Sequence, residues 1–226
     1  MMDRVLSFLT LTLLPMMLFD GTVSVTWGAL PPLTYSAKPI RGVIVDVQTG
    51  QPLEGVIVVA QWVLHVAPVG YGPRLQVLET VTDAQGVYQF PAWGPKVNPR
   101  FPLSSLDMRD PGLTFFKPGY RPHGASNMYM SNDALRSSDW DGKTIKLKEF
   151  TGTDEEWAGM LHTVQTGLGW GDVMDWRQAP RIALALELER LNMEQTPIAK
   201  RGWNISGLYA LNTTIEEVRR FLEGKK

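Results

Sequence analysis

No cysteine occurs anywhere in the 226 residues. Disulfides, thiolate zinc sites and cysteine nucleophiles are thereby excluded, and an exported chain of this kind holds together by its core alone. An excess of charge of either sign is missing too. The 22 basic residues stand against 23 acidic ones, a formal net charge of −1. Nucleic acid demands a basic face to neutralise phosphates, so this balance argues against it as a partner. Histidine is scarce, and no two of His65, His123 and His162 stand at the short spacing of a metal or acid–base site. No Gly-x-Ser-x-Gly elbow seats a serine nucleophile. Gly167-x-Gly169-x-Gly171 lacks the Lys-Ser/Thr of a phosphate loop and reads as a connection between helices. Ser137 to Gly142 sets Asp139 and Asp141 two apart before a glycine, yet Ser137 and Lys148 stand where a calcium loop of the EF type wants Asp and Glu. A tight turn is the better reading of that segment. No metal, cofactor or catalytic set is therefore expected.

Long hydrophobic runs are also few. Arg4 beside Asp3 is a weak positive start to an apolar run over 5–19, shorter than the roughly 20 residues that cross a bilayer. Pro15 interrupts the run and Asp20-Gly21 ends it. The pattern predicts a cleavable secretory signal over 1–28 and a periplasmic or extracellular protein, with an uncleaved N-terminal anchor as the alternative. Pro31, Pro32 and Pro39 then stiffen an extended lead-in over 29–39.

What is present is strand chemistry punctuated by turns. Residues 40–47 alternate, with Val43, Val45 and Val47 pointing one way, and Thr49-Gly50-Gln51-Pro52 turns the chain. Residues 56–66 are apolar and β-branched almost throughout, as in a strand buried on both faces. A strand over 75–82, the tight connection Asp83-Ala84-Gln85-Gly86 and a return over 87–90 make a hairpin. Further strands are expected at 113–116 and 143–148, the latter an edge strand with Ile145 and Leu147 inward and lysines outward. Residues 94–112 and 121–142 read as surface loops. Turn signals at this frequency, with no helical period between them, indicate a β-sandwich.

The pattern changes after Phe150. Thr153-Asp154-Glu155-Glu156 is a capping-box start to a helix carrying Trp157, Leu161 and Val164. Pro180 opens a second helix over 181–194 with Ile182, Ala185, Leu188 and Leu191 on one stripe, and Thr214 caps a third carrying Val218, Phe221 and Leu222. Tryptophan is plentiful, with eight copies. Trp62 belongs to the core strand, Trp93 and Trp140 fall in or beside loops, and Trp157, Trp170, Trp176 and Trp203 are expected to pack the tail helices onto the sandwich. Asn204-Ile205-Ser206 and Asn212-Thr213-Thr214 match the short glycosylation pattern.

Gly42 through Val56, Thr82 through Phe90 and the pair Gly119-Tyr120 resemble the carboxypeptidase regulatory-like domain of the transthyretin-like superfamily, over about residues 40–150. The resemblance implies a seven-stranded-type Greek-key sandwich and a rigid, non-catalytic extracytoplasmic module, with 151–226 as a helical appendage. A transthyretin-like hydrolase on the same fold would carry His where Val43 stands and a Tyr-Arg-Gly-Ser ending where this chain has Glu223-Gly224-Lys225-Lys226. The expectation is thus an exported, non-enzymatic binding or scaffolding protein of the cell envelope, without cofactors, in contact with another envelope protein. Leu184, Leu188 and Leu191 of the second helix are the candidate partner-binding residues. The alternative is a glycan-binding module that stacks sugars on Trp93 and Trp140.

Overall fold

The computed structural model describes residues 30–169, 175–196, 208 and 210–224. The expected signal segment, Trp170, Gly171, Trp203 and Asn204-Ile205-Ser206 lie outside them. The described residues are mostly β, with helices at the C-terminal end. In chain order the strands are β1 (Thr34–Ala37), β2 (Ile40–Asp46), β3 (Ile57–Val66), β4 (Gly70–Val81), β5 (Val87–Phe90) and β6 (Trp93–Val97). They continue with β7 (Ser104–Leu106), β8 (Gly112–Phe116), β9 (His123–Ala125), β10 (Leu135–Arg136) and β11 (Thr144–Leu147). Among the described residues three α-helices follow, α1 (Asp154–Leu168), α2 (Pro180–Glu194) and α3 (Ile215–Glu223), with a 3-10 turn over Trp176–Gln178 ahead of α2.

Three sheets result. One runs β10-β1-β6, a second β11-β2-β5, and the third β4-β3-β8-β9, with β7 paired to the far end of β3. Strand β3 is the hub, and its first eight residues are buried, as its near-continuous apolar run requires. Its two faces have different neighbours. Val58, Ala60, Trp62 and Leu64 share a core with Ile40, Ile44, Tyr88, Phe90, Ile145 and Leu147 of the second sheet and with Tyr35 and Ala37 of the first. Ile57 and Val59 face the other way, into a core with Phe116 of β8 and Trp157, Leu161, Val164, Ile182 and Leu186 of the helices. The body is therefore a sandwich-like pair of β layers with a helical layer on the outer face of the β3 sheet. Strand β11 is an edge strand, with Ile145 and Leu147 buried as expected.

The residues that carry the family resemblance shape the chain. Asp46 Oδ1 accepts from the N–H groups of Gln48 and Thr49, each at 2.8 Å, which closes the Thr49-Gly50 turn and holds the carboxyl below its usual range. The Thr82 hydroxyl donates to Leu53 O at 2.6 Å and accepts from Val56 N–H at 2.9 Å, tying the start of β3 to the end of β4. Gly42 sits opposite Tyr88, whose ring lies so close that a Cβ on Gly42 would meet the hydroxyl at 2.6 Å. Only glycine leaves room for that ring.

Several expectations need correction. In β2 the buried side is Ile40, Gly42, Ile44 and Asp46. Val43, Val45 and Val47 share a face as expected, and that face is the outer one, with the Tyr88 ring covering Gly42 on the inner side. The lead-in holds β1, and the stretches read as loops hold β7, β9, β10 and most of β6. These are short, and all but β9, which pairs with the neighbouring β8, find their partners far along the chain, as Ser36 pairs with Leu135. Local alternation over two to five residues carries no such signal. In α2 the buried face is Ile182, Ala183, Leu186, Glu187 and Met193, with Ala185 packed partly against it. The docked face is therefore rotated from the expected stripe. Helix α2 packs against α1 and the β3 sheet through Ile182 and Leu186, and against α3 through Ala183, which joins Trp176 and Val218.

Strand β4 fixes the ends of both long helices. Val63 pairs with Arg74 and Trp62 with Gln76, so Leu75 has no partner and forms a bulge. That extra residue puts Arg74 and Glu79, an odd number of residues apart, on the same helix-facing side. Arg74 Nη2 donates to Leu168 O at 2.7 Å, capping the C-terminal end of α1. Glu79 accepts from Arg181 N–H at 3.0 Å and Ile182 N–H at 2.8 Å, capping the N-terminal end of α2, where Ala179 offers no side-chain cap. Each charge has the sign that its helix dipole favours. Burial still wins for Glu79, whose carboxyl lies above its usual range despite these donors and Arg181.

Candidate functional site

A cleft of about 750 Å³ opens between the β3–β4 sheet and the C-terminal end of α1. Gln61, Val63 and Arg74 come from the sheet, Asp107, Arg109 and Asp110 from the segment after β7, and Thr166 and Gly167 from α1. Its size is that of a small-molecule site. The polar floor is tightly organised. Gln61 Nε2 donates to Gly167 O at 2.8 Å, and Arg74 Nε donates to Gln61 Oε1 at 3.3 Å. Gly169 ends α1 with φ +67°, and a Cβ there would overlap the Arg74 guanidinium.

Asp110 is the most perturbed group of the cleft. The β4 bulge and the end of β8 pairing at Gln61 leave Val63 N–H without a ladder partner, and Asp110 Oδ2 accepts it at 2.7 Å. Burial, opposed by that amide, and the neighbouring charge of Asp107, opposed by Arg136, together push this carboxyl up to about 8. Arg136 lies behind the floor, buried, donating to the carbonyls of Ser131 and Asp107. Its Nε is buried without a partner. His65 is not itself a lining residue, but its Nε2 lies 3.3 Å from Oδ2 of the lining Asp107, and its ring sits 4.5 Å from that of the lining Tyr71.

The sequence pointed elsewhere. Trp93 is half-buried, set edge-on to Trp62 at 5.1 Å, with its Nε1 enclosed. Trp140 is half-buried against the core and spends its Nε1–H on Ser126 O at 2.8 Å. Neither indole stands out as an open stacking platform. Leu184 packs partly against the Trp176–Val218 cluster, Leu191 is half-buried and Leu188 is 37% exposed. The three leucines therefore do not make one open apolar face. His123 packs between Phe115 and Trp140, its pKa lowered by burial. It lies across from Phe115 and thence Val58, seven residues or about 23 Å along β3 from His65. Asp139 accepts from Met128 N–H and Asp141 from Arg41 N–H, each at 2.8 Å, so the would-be calcium loop pins two separate segments. Among the described residues no group of three or more His, Asp or Glu could hold a metal ion. Thr214 of the second glycosylation pattern caps α3.

Sequence reasoning passed over Asp107, Arg109 and Asp110 because they fall in a stretch read as loop. The one available signal was the density of charge in Asp107-Met108-Arg109-Asp110, and a charged loop is ordinarily just solvated.

No family model matches the chain. No curated protein matches it either. Among solved structures it is similar to 3-chlorocatechol 1,2-dioxygenase from Rhodococcus opacus 1CP, at 17% identity over 51% of this chain and 60% of that one, with a TM-score of 0.28. A type II cohesin–X-dockerin complex from Acetivibrio cellulolyticus matches at 12% identity over 49% and 56%, with a TM-score of 0.23. The shaft pilin SpaA from Lactobacillus rhamnosus GG matches at 13% over 53% and 47%, with a TM-score of 0.24. The chain thus spans about half the length of these proteins. Likeness at this level carries no argument about function, which has to come from the site.

Proposed function

We propose that this chain is an exported, non-enzymatic binding protein, a carboxypeptidase regulatory-like sandwich carrying its own helical layer, and that it binds at the end where the cleft opens. The observation that supports this reading is the set of apolar side chains left in solvent beside the cleft. Tyr71 lines it and is 75% exposed. Backbone hydrogen bonds from Asn127 N–H to Arg109 O and from Ser131 N–H to Met108 O lay the 127–131 segment alongside the cleft-lining segment. Met128, Tyr129 and Met130 of that segment are each more than 60% exposed, and Met108 is exposed next to them. Such clusters mark interaction surfaces. Methionine adapts to irregular partners, and tyrosine is enriched where binding energy concentrates.

This moves the contact surface away from α2 and from the tryptophans. The reading is tested by mild crosslinking of the exported chain in its native envelope. One reproducible partner should be captured, lost in Met128→Ser/Tyr129→Ser/Met130→Ser and kept in Leu188→Asp. Loss in Leu188→Asp alone would return the contact to α2.

A second reading, as an enzyme, draws on Asp107 and Asp110 in one cleft, with His65 beside Asp107, since perturbed carboxyl groups concentrate at active sites. Capping Val63 N–H accounts for the burial of Asp110 without catalysis. Turnover abolished by Asp110→Asn in a folded protein would overturn the binding reading.

A further inference from the structure

The geometry points to a small organic anion, a carboxylate or phosphate on an apolar body, as the ligand of the cleft, held by the guanidinium groups of Arg74 and Arg109. This inference rests on the reading of this end of the molecule as the binding surface and names what the cleft itself would take.

The charges of the cleft are unbalanced. Its cations are Arg74 and Arg109, with Arg136 behind the floor. Its carboxyls are Asp107 and Asp110. Asp107 is already engaged by His65, and Asp110 holds its proton at neutral pH. Among the described residues, none of the three arginines lies within ion-pair distance of a carboxylate. Arg74 is half-buried and, among the described residues, bonded only to the neutral acceptors Gln61 Oε1 and Leu168 O, which fix its plane while Nη1 has no hydrogen-bond partner among them. Arg109 is exposed, and its side chain makes no hydrogen bond among the described residues. An oriented guanidinium with an open edge suits a carboxylate or phosphate oxygen. Tyr71 and Val63 supply an apolar wall for the body of the ligand. A cation is disfavoured by the same charges, and an uncharged molecule would leave the arginines unanswered.

The test is an NMR titration of the full chain labelled with 15N-arginine, at fixed ionic strength. The probes are benzoate, phenyl phosphate and uncharged benzamide. The expected result is a saturable shift of the Arg74 and Arg109 Nε–H signals with one of the anions, and the tighter probe assigns carboxylate or phosphate. Affinity should fall about tenfold in Arg109→Gln, as for loss of one charge-assisted bond, recover in part in Arg109→Lys, and hold in the surface control Arg100→Gln. Arg109 is exposed, so these variants should melt as the wild type does. Failure of both anions to give a saturable shift overturns the inference. If benzamide alone shifts the Val63 and Tyr71 backbone amide signals of a second, uniformly 15N-labelled sample, the cleft remains a binding site and only its anion preference is wrong. Equal binding in Arg109→Gln would also overturn it, because the anion would then lie elsewhere.

Discussion

Asp110→Asn isolates one ionisable group whose folded environment is legible in detail. Its carboxyl is buried, accepts Val63 N–H, and faces Asp107 on its own segment, Arg136 of β10 and Arg74 of β4. Its pKa rises from 3.8 to about 8 on folding. The native state then holds the proton more tightly than the unfolded chain does. The stabilisation is complete below about pH 4 and is lost as pH rises through about 8. Each pH unit in that window is worth about 1.4 kcal/mol, so three units give about 4 kcal/mol as an upper limit. Water entry and local relaxation reduce this, and a fall of about 2–4 kcal/mol between pH 5 and pH 8 is expected. Asparagine keeps an oxygen for Val63 N–H and cannot ionise. Urea unfolding followed by tryptophan fluorescence at each pH should therefore show the stability difference, wild type minus variant, falling steadily over this window and flattening above it. Parallel curves would refute the reasoning, because Asp110 would then titrate alike in the folded and unfolded chains.

Gly42→Ala should destabilise the protein by about 1–3 kcal/mol, since its Cβ would press on the Tyr88 ring, and Gly42→Ala/Tyr88→Leu should recover part of that loss in the same denaturation assay. Glu79→Ala removes the side-chain cap at the N-terminal end of α2 and should cost about 1–2 kcal/mol, with hydrogen exchange rising first at the amides of Arg181 and Ile182. Leu186→Ala should cost about 2–5 kcal/mol, while Leu188→Ala, on the exposed side of α2, should stay within about 0.5 kcal/mol of the wild type. Equal costs for the two leucines in thermal unfolding would mean that α2 docks through another face.

How much of this protein its sequence determines follows from the range of each interaction. The turns are local. Asp46 reaches two and three residues ahead to Gln48 and Thr49, Asp83 reaches Gln85 and Val87, and Gly86 takes φ +70° where a side chain would be strained. Residue type and spacing settle such contacts, so the hairpin and the strands it joins are readable directly. The apolar run of β3 is equally plain, because a strand covered on both faces has no polar side to show. The capping box at Thr153 and the Thr214 cap of α3 belong to the same class.

The site belongs to the other class. Arg74 finds Leu168 across 94 residues, Asp110 finds Val63 across 47, and Glu79 finds Ile182 across 103. A bulge at Leu75, invisible in the strand pattern, decides that Arg74 and Glu79 share a face. The rotation of α2 was likewise set by what it packs against, α1 and the β3 sheet together with α3, and its own sequence offers more apolar positions than one face can use. The sequence by itself determined the turns, the hub strand and the helix starts, because their energies are spent between near neighbours. Only the tertiary structure decided the cleft, since its charges acquire their meaning from partners that the chain brings together by folding.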